Sequence, residues 1–355
     1  MRLTPSTPGT SVHNRTPNFS SAATSCPSTP HYKCGTSLIV APNSSTLLLK
    51  KPDSDTTGTL LKTGTLCSVL SRKRKWHEVE TLGQNKRIKG WIEVNQADQL
   101  IEEPMVPKCD RKTAGYTKVD AAEFNKIIRV EDINQGWLGD CYLIGAMASL
   151  AHTLPRYLRK AIRKGAGPGE YIVRLHHFGK NGHYYGIKEI PVNNWFPSRD
   201  DHILYGQGVG KPTRNYMVKD IVAGKRPLWP AIIEKAFAQM KGGYDALNLG
   251  GWEKDVFMAI TGKPAIEVPL GRAGNPQNTV ALEQIKSALK QGLPITASSK
   301  GRSVLKKIYA CHVYIVVGID DKHVYLRNPH DTRPLMSLTT KNFIRAFGAV
   351  TVACV

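Results

Sequence analysis

Gln135-Gly136-Trp137-Leu138-Gly139-Asp140-Cys141-Tyr142-Leu143 is the stretch on which the reading of this sequence turns. Beyond Cys141, apolar residues recur at Tyr142-Leu143-Ile144, Met147, Leu150-Ala151 and Leu154, the spacing of a buried helix face. Asp140 stands where an N-cap belongs, and Pro155 interrupts the pattern. A thiol in the first turn of such a helix feels the positive end of its dipole and the unpaired N–H groups there. Both favour thiolate, the nucleophilic form. Taken alone, a cysteine at a helix start is more often a small buried residue. Gln135, six positions earlier in a loop made tight by two glycines, supplies an amide that can donate to an oxyanion beside the Cys141 N–H.

The distant end of the chain adds what a thiol nucleophile needs. His312-Val313-Tyr314-Ile315-Val316-Val317-Gly318 reads as a strand, Asp320-Asp321-Lys322 as a turn, and Val324-Tyr325-Leu326-Arg327-Asn328 as the returning strand. A hairpin centred near residue 320 sets His312 opposite Asn328, with Cβ atoms about 5 Å apart. An imidazole held by an amide carbonyl exchanges its other proton with a sulfur. Gln135, Cys141, His312 and Asn328 together form a specific constellation, whereas each alone is a common residue in a common place.

Between these ends, a helix opens at Pro230 and stops at Gly242-Gly243, and another runs from Ala281 to Lys290. Strands follow at residues 294–297, 312–319 and 324–327, with a short last helix at 342–347. Helices first and strands later imply an α+β fold of two lobes. Other clusters carry less. His176-His177 and His183 lack ligand spacing and read as surface residues. Gly206-Gln207-Gly208-Val209-Gly210-Lys211 lacks the spacing of a phosphate loop. Trp195 and Trp229 read as packing residues, and Trp252 as packing or cleft-lining.

The chain has 355 residues, 41% of them hydrophobic, and a net charge of +21. No apolar run approaches the roughly 18 residues of a membrane span, and the first residues lack the apolar core of a secretory signal. Seven scattered cysteines without a CxxC pair argue against a disulfide framework or a zinc site and for a reducing compartment. Residues 1–118 are expected to be a flexible Ser/Thr/Pro-rich and basic region, with Ser37-Leu38-Ile39-Val40 as a strand that adds to something else. Arg72–Lys75 and Lys86–Lys89 have the layout of a bipartite nuclear-localisation signal, although a solvated basic linker is the simpler account of them in so basic a chain.

Read in order, Gln135 to Leu143, Trp229 to Ala238, Gly243 to Leu247, Thr261-Gly262, His312-Val313-Tyr314, Leu326 to Pro329 and Leu338 to Phe343 resemble the blocks of the calpain family of papain-like cysteine proteases. The resemblance covers residues 119–355. It implies a papain-like fold, with a helical lobe at 119–265 carrying the cysteine and a β-rich lobe at 266–355 carrying the histidine and asparagine. It further implies Cys141 as nucleophile, His312 as general acid and base, Asn328 orienting His312, and Gln135 in the oxyanion hole. The activity implied is cytoplasmic hydrolysis of internal peptide bonds in protein or peptide substrates.

The departures shape the expectations. Cys311 stands where the family usually has a small residue, and His330 where it has a tryptophan that shields the His–Asn bond. Asp132 matches a calcium ligand of the family, but Pro227 replaces its acidic partner, and most of the second calcium loop is missing. A calcium-independent enzyme without a cofactor is therefore expected. Two alternatives share the sequence: an inactive protease-fold binding protein, with nucleic acid as a partner suited to the basic charge, and a cysteine acyl transferase.

Overall fold

The computed structural model describes residues 37–40, 46–52, 58–62, 65–82, 87–93, 100–104, 115–120, 127–136, 138–179, 182–199, 202–206, 221–222, 227–272 and 274–355. Seven strands come first: β1 Ser37–Val40, β2 Thr46–Leu48, β3 Thr59–Leu61, β4 Leu66–Lys73, β5 Trp76–Leu82, β6 Lys89–Glu93 and β7 Leu100–Glu103. Five of them pair antiparallel in the order β6-β5-β4-β1-β7, and β2 pairs with β3. The expected flexibility of 1–118 does not describe these residues. The strands are short, and the alternation of side chains lets each bury apolar residues on two faces. Leu38, Val40, Cys67, Val69, Val79 and Ile92 form one small core with Leu48 and Leu61. Ile39 and Leu66 point the other way, into the main core. Residues 1–36 lie outside the described residues.

The basic clusters take on shape as well. Arg74 turns the β4–β5 hairpin with φ of 55°, Lys75 pairs with Glu93 at 2.7 Å, and Arg87 pairs with Glu80 at 3.2 Å. Lys86 lies outside the described residues.

The main core is built around α1 Cys141–Thr153. With it pack α2 Pro155–Ala161, α3 Trp229–Lys241, α4 Tyr244–Leu247 and α5 Glu253–Thr261. Strand content here exceeds the helices-first expectation. β9 Ile162–Lys164, β10 Glu170–Phe178 and β11 Tyr184–Asn193 form one three-stranded sheet, and β8 Gly115–Lys118 joins β12 Trp195–Arg199 and β13 His202–Ile203 in another. α3 opens with Pro230 at its start and ends on Gly242, whose φ of 94° is the left-handed form that suits glycine.

A six-stranded antiparallel sheet completes the chain, ordered β14-β19-β15-β16-β17-β18. Its strands are β14 Ala265–Pro269, β15 Ile295–Ser299, β16 Val313–Ile319, β17 His323–Asn328, β18 Asp331–Thr339 and β19 Phe347–Ala353. α6 Gln277–Lys290 and α7 Thr340–Ala346 cover it around a second core that includes Tyr314, Phe343 and Phe347. The arrangement is α+β.

Where α1 crosses this sheet, the backbones come close. A Cβ on Gly145 would lie 2.7 Å from Cγ1 of Val313, so only glycine fits there. Ser149 Oγ donates to the Ile295 carbonyl at 3.0 Å. The helix that begins with Cys141 is thereby fixed against the strand that begins after His312.

Candidate active site

Four segments meet at this crossing. Cys141 opens α1, its thiol partly buried against the backbone amide of Val313. His312, 6% exposed, immediately precedes Val313. Asn328 ends β17, and its Oδ1 lies 2.9 Å from His312 Nε2. Because that oxygen only accepts, Nε2 carries the proton and Nδ1 is left as the basic nitrogen. The hairpin pairs Ile315 with Arg327 and Val316 with Leu326, then shifts past Val317 to pair Gly318 with Tyr325. The register differs by about two residues from a hairpin centred on 320, so His312 and Asn328 meet diagonally rather than as direct partners.

His330 takes up the place beyond Pro329. Its ring stacks on His312 with centroids 4.6 Å apart and planes 9° apart, and its backbone N–H donates to Asn328 Oδ1 at 3.0 Å. Tyr309 and Tyr314 meet His312 edge-on. Cys311 has φ of 48°, a left-handed conformation that costs a non-glycine residue roughly 1–2 kcal/mol.

The electrostatics run against the thiolate expected from the helix dipole. Burial pushes the Cys141 thiol up to about 11, with the nearby charges of Asp140 and Glu253 adding to it and the Val313 and Tyr142 amides opposing it. Burial likewise pushes His312 down to about 4, with Asn328 opposing and His330 assisting. Both shifts oppose a resting thiolate–imidazolium pair. Desolvation wins because the helix N-terminus and the thiol share one water-poor seam.

Gln135 is 2% exposed and faces inward. Its Nε2 donates to Leu138 O at 2.8 Å and, more loosely, to Asp140 Oδ1 at 3.5 Å. Asp140 precedes α1 as expected, but its carboxylate makes no cap bond to that helix. It turns instead toward Gln135 and Glu234. Trp137 lies outside the described residues.

Among the described residues, no group of three or more His, Cys, Asp or Glu side chains is arranged to hold a metal. Asp132, matched above to a calcium ligand, accepts from the Arg129 amide at 2.8 Å and from Trp229 Nε1 at 3.2 Å. Its carboxylate caps a short turn and satisfies a buried indole. His176 sits on the β10–β11 hairpin with its Nδ1 3.0 Å from Tyr184 Oη. Of the Gly206–Lys211 loop only Gly206 is described. Trp195 and Trp229 are buried, and Trp252 is exposed. Glu234 and Lys235 escaped the reading of the sequence. The signal was present: two adjacent charges inside an otherwise apolar helix.

Comparison with known proteins points the same way. The model of a family described as "Calpain family cysteine protease" matches residues 116–338. The chain is 28% identical over 214 residues to calpain-2 catalytic subunit of Gallus gallus, a match covering 56% of this chain and 27% of that protein. It is 27% identical over 213 residues to the human calpain-2 catalytic subunit, and 27% over 214 residues to mouse calpain-9, with coverage of 56% of this chain in both cases. The matched region spans little more than a quarter of the length of these relatives.

Proposed function

We propose, from the premise that this chain belongs to the calpain family of cysteine proteases, that it is an endopeptidase acting through Cys141, His312 and Asn328 without calcium. The observation that carries the proposal is the His312–Asn328 bond one residue away from the amide that meets the Cys141 thiol. The α1–sheet crossing then corresponds to the seam of a two-lobed papain-like arrangement.

In this reading His312 Nδ1 takes the Sγ proton as the sulfur bonds to the scissile carbonyl carbon, so no free thiolate precedes attack. Asn328 holds the ring and steadies the imidazolium formed. The negative oxygen meets the Cys141 N–H and the loosely held N–H of Gln135. His312 returns the proton to the leaving amine, leaving a thioester. Water, deprotonated by His312, displaces the sulfur and releases the acid. Substrates are peptides or proteins, and no cofactor enters. A reducing, cytoplasmic setting suits four unpaired cysteines at 67, 141, 311 and 354. Nuclear entry through the basic clusters has less support, since Lys75 and Arg87 are ion-paired.

A peptidyl epoxide followed by mass mapping tests the reading. Modification at Cys141 that is lost in His312→Ala, together with cleavage of a casein-like substrate, is the expected result. A folded protein whose Cys141 stays unmodified would leave the binding-protein reading.

A further inference from the structure

Asp140 and Glu234 are both buried, at 0% and 1% exposure, and they face each other across the α1–α3 contact. Asp140 Oδ2 and both oxygens of Glu234 lie out of reach of water, with no hydrogen-bond partner in ordinary geometry among the described residues. An ionised carboxylate only accepts, so two ionised carboxylates here would repel and leave their oxygens unsatisfied. One proton between them supplies the missing donor.

The surroundings provide only a weak substitute, the Gly206 backbone N–H, which favours ionised Glu234. The titratable groups facing the pair are Cys141 and Tyr142 on α1 and Tyr244 on α4, each of which acquires only negative charge. The cation next in sequence, Lys235, is committed to Glu103 at 2.5 Å. Burial first, and then its partner's charge, holds Glu234 well above the ordinary carboxyl range. Asp140 is held up at about 7 by burial, with the Glu234 hydrogen bond pulling it down. Glu234 is therefore the donor and Asp140 the acceptor.

We propose that Asp140 and Glu234 share one proton, and that this proton keeps Gln135 available to the oxyanion and keeps a second negative charge from forming behind Cys141. They are positioning residues, and their role rests on the peptidase reading above. While Glu234 donates to Asp140, the 3.5 Å bond from Gln135 stays loose and can be given up to substrate. When Glu234 loses that proton on the alkaline side, the Asp140 carboxylate loses its donor and draws the Gln135 amide inward. The second negative charge behind the thiol then makes its ionisation harder still. Activity falls on the alkaline side because of the carboxyl pair.

The test uses the full chain, with infrared spectra and pH profiles of kcat/KM on a fluorogenic peptide for wild type, Glu234→Gln, Glu234→Ala and Asp140→Asn. The wild type should show a protonated-carboxyl band at neutral pH that is missing from Glu234→Gln, the difference separating it from Glu253. The Gln amide donates permanently, so the alkaline midpoint should move up by about one pH unit or more. Glu234→Gln should exceed Glu234→Ala at pH 7 by about tenfold, a fraction of what an oxyanion donor contributes. If Glu234→Gln does not fold, Asp140→Asn replaces the carboxylate acceptor by an amide, and the band, kept because burial still holds Glu234 protonated, should shift in frequency. No band in the wild type, or an unmoved alkaline midpoint, overturns the shared proton. The band needs no substrate. A band without peptide cleavage therefore removes the peptidase reading and leaves the proton in place, whereas cleavage without a band does the reverse.

Discussion

The backbone N–H of Gln135 donates to the carbonyl oxygen of Pro329 at 2.8 Å, bonding the loop before the thiol to the turn after Asn328. Two further contacts follow the same seam. Thr332 Oγ1 meets the Val130 and Ile133 carbonyls at 2.6 and 3.2 Å, and Arg327 reaches Glu131 at 3.4 Å. These protein groups tie the cysteine-bearing segment to the histidine-bearing one.

That seam bears on calcium. A metal shifts a conformational equilibrium only by its differential affinity for the two states, and Asp132 is already occupied by protein donors. Turnover of a casein-like substrate should be equal in calcium and in excess chelator. Thr332→Val should lower stability by about 1–3 kcal/mol, because the one hydroxyl proton that the two carbonyls share is lost. Urea titration measures that loss, and a calcium stimulation of a hundredfold would reinstate metal gating.

Thiol reactivity should separate by reagent. With Cys141 partly buried and its thiol pushed up by that burial, and with Cys311 exposed, iodoacetamide near pH 6 should alkylate Cys311 first. A peptidyl epoxide, which engages the cleft, should select Cys141. Mass mapping of partially modified protein distinguishes the two orders, and preferential alkylation of Cys141 by the small reagent would show a resting ion pair.

Asn328→Ala should lower kcat by about a hundredfold with little change in KM, since it removes the acceptor that fixes the His312 tautomer. Circular dichroism should be unchanged. A proportional rise in KM would instead assign Asn328 to substrate binding.

His330 depresses His312 alongside the larger effect of burial. In His330→Phe, His312 should rise from about 4, moving the acid limb of kcat/KM to higher pH. Stability follows with a definite sign. An unfolded histidine near 6.5 binds protons that folded His312 refuses until about pH 4, so stability is lost as pH falls from 6.5 through 4. The loss is of order 3 kcal/mol, and His330→Phe should make it smaller. Thermal melts between pH 4 and 7 read the difference.

Glu103 and Lys235 form a wholly buried pair, extended by Asn193, which donates to Glu103 at 2.7 Å and accepts from Lys235 at 2.7 Å. Removing one partner strands a charge. Glu103→Ala should cost roughly 3–5 kcal/mol in urea unfolding, while a Met pair at both positions should recover most of it. A single-variant cost below 1 kcal/mol would mean that water reaches Lys235.

The site was more legible than the scaffold. Cys141, His312 and Asn328 are set by features local in sequence: a helix start and one hairpin, whose register slipped because its turn closes between Asp320 and His323, later than a centre at 320. The thiol's environment was misread from the same helix start, since dipole arguments see α1 but not the sheet that removes its water. Ser37–Val40 was legible as a strand that joins others, but the strands at 46–103 were hidden by Ser, Thr, Lys and Arg within and around them. Several are only three to five residues long and carry too little periodicity to stand out.

One feature of the N-terminal sheet reaches into how this protein should be handled. The span recognised by the family model begins at residue 116, yet Ile39 and Leu66 fill the same core as Leu143 and Trp229, and Glu103 neutralises a lysine in the middle of α3. A boundary drawn by homology thus cuts through a single hydrophobic interior. Excising the recognised span would open a hole and bare an ammonium one residue from Glu234. The physical unit of folding is larger than the unit that sequence comparison detects, and the first hundred residues hold part of its wall.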